Sequence, residues 1–236
     1  MRKSLVVAKI NLQNIKLAYI ITAITMLVIV IQDIVMIILE KAGVFRNPPG
    51  NMTVSFGNYL FLAVILGAIF IPAWNFRRIM NLGGKRRDFF LGCAATYVIM
   101  TAAVSLICVI LFYTYDRLMV SLLYRGGTLD IMYWFGWINN GVIVAFIQQF
   151  AFLLLLAVAI HTLWAVQDKW YGWCADIAIV AIISVFTPIA PLRAALVWFF
   201  NLIIFHPNAF VQITACMILA AAIYSLNMAI LARKAI

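Results

Sequence analysis

Long apolar runs separated by short polar breaks dominate the chain. Crossing a hydrocarbon core of about 30 Å takes about 20 apolar residues. Runs close to that length occupy 17–39, 58–74, 89–113, 141–166, 171–190 and 209–232. The pattern predicts an all-α polytopic membrane protein, with six transmembrane helices in one domain over 1–236. The second run is the shortest and carries Pro72 near its end. The first follows a basic segment and is too long for a signal-peptide core, so it reads as a retained span. Residues 191–208, "PLRAALVWFFNLIIFHPN", are apolar but bounded by prolines and too short to span. They predict a re-entrant or interfacial pair of half-helices before the last span, or an irregular cap on that end of the bundle. Residues 114–140 are aromatic and amphipathic, suited to lying partly in the outer leaflet.

The most polar stretch is "WNFRRIMNLGGKRRDFFLG", residues 74–92. Phe76, Ile79 and Met80 stand at i, i+3 and i+4 and share one helical face, while Arg77, Arg78 and Asn81 point away from it. Gly83 and Gly84 supply positions where a helix can stop. A short amphipathic helix is expected over 75–82, followed by a new helix from about Arg87. Its apolar ridge beside guanidinium groups suits docking into a groove on another protein, where arginine pairs bidentately with carboxylates.

Composition sets the solvent. Hydrophobic residues make up 67% and charged residues only 10% of 236, with a mean hydropathy of +1.10; that is too little charge to cover a soluble surface. The net charge of +10 does not indicate nucleic acid, because the cations gather at span ends, as the positive-inside rule requires. Twelve Lys and Arg fall on one side (Arg2, Lys3, Lys9, Lys16, Arg77, Arg78, Lys85, Arg86, Arg87, Lys169, Arg233, Lys234) and five on the other (Lys41, Arg46, Arg117, Arg125, Arg193). The count places both termini and the 75–88 loop in the cytoplasm. Tryptophans at predicted span ends agree. The four cysteines lie in or beside apolar runs with no C-x-x-C spacing and read as small buried hydrophobes.

Taken together, the six spans, a basic N-terminal segment, a cytoplasmic helix after span two and an apolar hairpin before the last span resemble the permease subunit of a type-2 ATP-binding-cassette (ABC) transporter. The run "MNLGGKRRDFFLG" is similar to the stretch by which small bacterial members enter their third span. The resemblance implies an interfacial elbow helix at 1–16, where Arg2, Lys9, Gln13 and Lys16 form one stripe with Lys3, Asn11 and Asn14 across from it. It also implies an ATPase-coupling helix made of Phe76, Arg77, Arg78, Ile79, Met80, Asn81 and Leu82. The implied assembly is two permease chains, identical or different, with two separate ABC ATPase subunits in a bacterial cell membrane. This chain has no G-x-x-x-x-G-K-[ST], so no cofactor is expected on it; ATP and Mg would be bound by the partner ATPase.

An enzymatic role finds no support. Glu40 is the only glutamate, no G-x-S-x-G is present, and His161 and His206 fall on opposite sides of the expected topology, so no metal site is expected. Polar residues within spans usually face a bundle interior or a path, which makes Gln32, Asp33, Gln148, Gln149, Asp176 and Asn227 candidates for either; Asp176 could pair with Lys169. No carboxylate is expected at mid-depth, which suits a hydrophobic or amphipathic cargo (a peptide, a bacteriocin or a lipid-like molecule) better than a coupling ion. Leu196, Trp198, Phe199 and Asn201 in the apolar hairpin are the candidates for an outer gate. The competing reading is a stand-alone channel or secondary transporter.

Overall fold

A computed structural model describes residues 2–44, 52–123, 127–167 and 169–233. Arg46, Arg125 and Lys234, which enter the charge count, lie outside the described residues. The chain is an all-α protein; among the described residues five helices are long and apolar enough to cross a membrane, or six if one bent pair counts as a single span. In chain order the helices are α1 (Arg2–Asn14), α2 (Lys16–Lys41), α3 (Phe61–Phe70), α4 (Phe76–Asn81), α5 (Arg86–Leu111), α6 (Arg117–Leu123), α7 (Ile131–Trp134), α8 (Val142–Val166), α9 (Trp170–Phe186), α10 (Ala190–Phe200) and α11 (Ala209–Arg233).

Two of the spans are longer than their apolar runs because irregular turns continue them. The second runs from Phe56 to Asn81 and the third from Arg86 to Leu123. A π-helical turn at Ile71–Asn75 joins α3 to α4. Pro72 is its cause: the ring removes one backbone donor, and the wider turn absorbs the gap.

The main core lies where α1, α3, α5 and α8 meet. It includes Ile15, Val64, Ile71, Phe76, Phe89, Tyr97 and Leu153. Helix α1 follows the first turns of α5 closely. A Cβ on Gly92 would meet Val7 Cγ1 at 2.5 Å and the Ser4 carbonyl at 3.1 Å, so only glycine permits this approach.

At the opposite end, a small parallel ribbon pairs β1 (Met52–Val54) with β2 (Gly127–Leu129). It is anchored through Asp116, which accepts hydrogen bonds from the Ser55 hydroxyl and, at 3.0 Å, from the Phe56 N–H. Asp130 caps α7 by accepting the Met132 N–H at 2.7 Å. Tyr115 donates to Asp33 at 2.9 Å, tying α2 to the same end.

The fifth apolar run breaks earlier than its composition suggests. Helix α9 stops at Phe186, and the chain then turns by 116° into α10. Thr187 still has helical backbone, but Pro188 has no N–H to continue the ladder and the chain is extended at Ile189; Pro191 sits in the first turn of α10, where its missing N–H costs nothing. Among the described side chains only Gly172 of α9 and none of α10 is buried. On α2 only Ala18, Thr22 and Asp33 are buried. Surfaces this apolar require lipid or another chain against them.

Candidate functional site

Helix α4 is the most constrained element at the basic end. It ends in a Schellman motif: the Gly83 N–H donates to the Met80 carbonyl at 2.9 Å and the Gly84 N–H to the Ile79 carbonyl at 3.0 Å. Gly83 takes the left-handed φ of 78° that closes the motif. A Cβ on Gly84 would lie 2.8 Å from the Ile79 oxygen, so the second glycine is required for a different reason, close approach.

The apolar ridge of α4 does not face outward. Phe76, Ile79 and Met80 are buried in the chain's own core, with Phe76 edge-on to Phe89 at 5.3 Å. This corrects the expectation that the ridge docks on another protein. Amphipathic spacing reports that one face is apolar, and here α1 and α5 already cover it. What α4 presents to the outside is Arg77, Arg78, Asn81 and Leu82, the last 77% exposed. Arg78 Nη1 reaches Asn14 Oδ1 at 3.5 Å.

Beneath α4, a buried polar bolt joins three elements. Asn75 Nδ2 donates to Asn11 Oδ1 at 3.0 Å, and Asn11 Nδ2 reaches Thr96 Oγ1 at 3.4 Å and Cys93 Sγ at 3.5 Å. The bolt links the turn before α4 to α1 and α5, so these move as one body or break hydrogen bonds in an apolar setting.

The six intramembrane polar candidates are not gathered on one surface. Gln32 is exposed on α2, and Asp33 is buried and bonded to Tyr115. Gln148 donates to Gln212 Oε1 at 2.6 Å and accepts from Asn140 at 3.1 Å. Gln149 lies against Cys108, and its amide finds no further partner among the described residues. Asn227 donates to Thr162 at 2.7 Å, joining α11 to α8. Asp176 accepts from Gln167 at 2.6 Å, so its partner is this amide and not Lys169. Gln148 and Asn227 therefore act as ties between helices.

Trp198, Phe199 and Asn201 are exposed in the α10 segment and Leu196 is half-buried. The π-helical turn Asn201–Phe205 that ends α10 is held from the bundle side. Gln212 Nε2 donates to the Ile203 carbonyl at 3.1 Å, Cys216 Sγ to the same oxygen at 3.3 Å, and Trp137 Nε1 to the Ile204 carbonyl at 2.9 Å. Trp137, expected from the sequence in an outer segment, is thus a core residue. Cys93, Cys108 and Cys216 are buried as expected of small hydrophobes, but Cys174 is exposed.

Sequence reasoning placed Asn11 only across from the elbow stripe, and passed over Asn75, Gln212 and the buried contact between Tyr97 and His161 Nδ1. The usable signal was the same for all: a polar side chain inside or beside an apolar run. Among the described residues, no three His, Cys, Asp or Glu side chains gather where they could hold a metal ion. No protein-family model, curated protein or solved structure matches the chain.

Proposed function

We propose that the chain is the membrane-spanning permease subunit of an ATP-driven exporter of the type-2 ABC class, lying in a bacterial cell membrane with the α4 end and both termini in the cytoplasm. The observation that carries this reading is α4 itself. A six-residue helix at the basic end is locked to α1 and α5 by the Asn75–Asn11–Thr96 bolt and the Phe76–Phe89 contact, yet turns Arg77, Arg78, Asn81 and Leu82 outward. A lever that receives force from a soluble motor needs both properties, a rigid root and a free face. ATP and Mg belong to that motor, an ABC ATPase present in two copies.

The exposed apolar surfaces of α2, α9 and α10 leave room for a second permease chain as well as lipid. In this reading the cargo, hydrophobic or amphipathic, moves between the two chains. The 116° turn into α10 supports reading the 191–208 segment as a re-entrant outer hairpin, with Leu196, Trp198, Phe199 and Asn201 at its gate. Helix α1 serves as the elbow, packed along α5.

The test is co-purification of the tagged chain with an ATPase carrying a Walker motif, followed by ATP turnover in the complex. Leu82→Asp and Arg77→Glu alter the exposed face alone and are expected to abolish the association while the chain still inserts and elutes as a single species. Capture of no such ATPase, or undiminished capture by both variants, would refute the reading. Cargo flux through the purified chain alone in liposomes would instead establish a stand-alone channel or carrier.

A further inference from the structure

Helices α2 and α5 diverge beyond the first turns of α2, leaving a groove of about 440 Å³ bordered by Ala63 of α3. Leu12, Tyr19, Met26, Ala63, Met100 and Ile107 line it. We propose that this groove holds one acyl chain of an anionic phospholipid, with the headgroup placed by Lys9 and Lys16.

The walls select a hydrocarbon. The hydroxyl of Thr22, which also borders the groove, is already donated to the Ala18 carbonyl at 2.9 Å. The dimensions select a single chain. From Ile99 to Ile107 the groove follows α5 for about 12 Å at 1.5 Å per residue. Its volume then leaves a cross-section of about 40 Å², too narrow for a partner helix about 10–12 Å across.

Charge selects the headgroup. Lys9 stands three residues before Leu12 on α1 and Lys16 three before Tyr19 on α2, so each lysine shares the face that its neighbour turns to the groove. Both lysines are exposed, and the first acid in the chain is Asp33. Flexible lysine stems reach the headgroup level from such positions. The site needs only the membrane and not an ATPase.

The test uses the full chain in nanodiscs of equal parts dioleoyl phosphatidylglycerol and dioleoyl phosphatidylcholine. After mild re-extraction, native mass spectrometry counts the phospholipid retained. One phosphatidylglycerol per chain is expected, in preference to phosphatidylcholine. Lys16→Gln should lower that preference about fivefold, from about 1 kcal/mol per lysine near the surface at 1.4 kcal/mol per tenfold. Ala103→Trp and, on the facing wall, Ala23→Trp fill the groove from exposed positions and should each remove the retained lipid of both kinds; should either fail to fold, the other decides. Equal retention of the two lipids by the parent chain overturns the headgroup assignment. Unchanged retention in a folded Trp variant overturns the groove. The same unchanged retention with loss of a dimer peak would show that a second copy sits there instead.

Discussion

Gln212→Leu is the sharpest probe of how the α10 segment is held. Gln212 is fully buried, accepts from Gln148 at 2.6 Å and donates to the Ile203 carbonyl at 3.1 Å. Leucine fills a similar volume and removes both bonds. Hydrogen bonds between membrane helices are worth about 0.6 kcal/mol on average and up to about 1.7, so the loss should fall between about 1 and 3 kcal/mol. For a chain of this size, that lowers the melting temperature by about 2–4 °C per kcal/mol. Gln148→Leu should cost a comparable amount, because it strands the Gln212 oxygen and releases Asn140. The double variant leaves the Ile203 carbonyl short of one donor, though Cys216 still reaches that oxygen, and releases the exposed Asn140 amide to the surroundings. It should therefore cost little more than Gln212→Leu alone, since removing both partners of a buried bond is close to neutral. Melting of the four detergent-solubilised proteins, followed by fluorescence-detected size exclusion, closes the cycle. Strictly additive losses would mean that the two amides do not bond.

Two further predictions concern the ends of the bundle. Gly83→Asn should be tolerated because asparagine accepts the left-handed backbone, while Gly84→Ala, whose Cβ would meet Ile79 Cγ2 at 2.6 Å, should unwind α4 and lower the melting temperature; equal melting of the two would reject the close-approach argument. Burial pushes the Asp130 carboxyl above its ordinary value of 3.8, partly offset by the Ser55 hydroxyl and the N–H groups of Met132 and Tyr133. The folded state thus binds this proton more readily than the unfolded one, so the contribution of this carboxyl to stability is fully present below the ordinary value and is lost as pH rises through the raised one. Asp130→Asn keeps a competent cap and should lose less stability than the parent as pH climbs above about 4; a parent-to-variant difference that stays constant with pH would refute it.

What was legible in the chain follows from which forces act locally. The spans could be read because twenty consecutive apolar residues have few other uses, but the fifth is expected to reach 190, past Pro188, whereas α9 stops at Phe186. The ribbon could not be read: three-residue strands at Met52 and Gly127 carry no periodicity, and Asp116 and Ser55 meet only because the fold brings them together. The polar ties were half legible. Gln148 stood out as a deep amide, but its partner depends on the rotation of α11 against α8, which no spacing specifies. The α4 ridge was found correctly and assigned to the wrong neighbour for the same reason.

That reassignment changes how force would travel through the molecule. With Phe76, Ile79 and Met80 free, α4 would be a loose plug, seated in a partner and tethered to the bundle at its two ends. With the ridge buried, displacing α4 means either stripping those three side chains from the core, at about 1.5–3 kcal/mol for each large one fully exposed, or carrying the core along. The second is cheaper, because Asn75 and Phe76 connect α4 to α1 and α5 together. A push on Arg77, Asn81 or Leu82 is then delivered to the start of the first two spans' support and to the third span at once. Helices α9 and α10 bury almost nothing themselves, and the α10 segment is fastened to Trp137 and to Gln212 and Cys216 of α11, so the α1–α4–α5 unit can move against them only by sliding past α8 and α11 or by carrying both along.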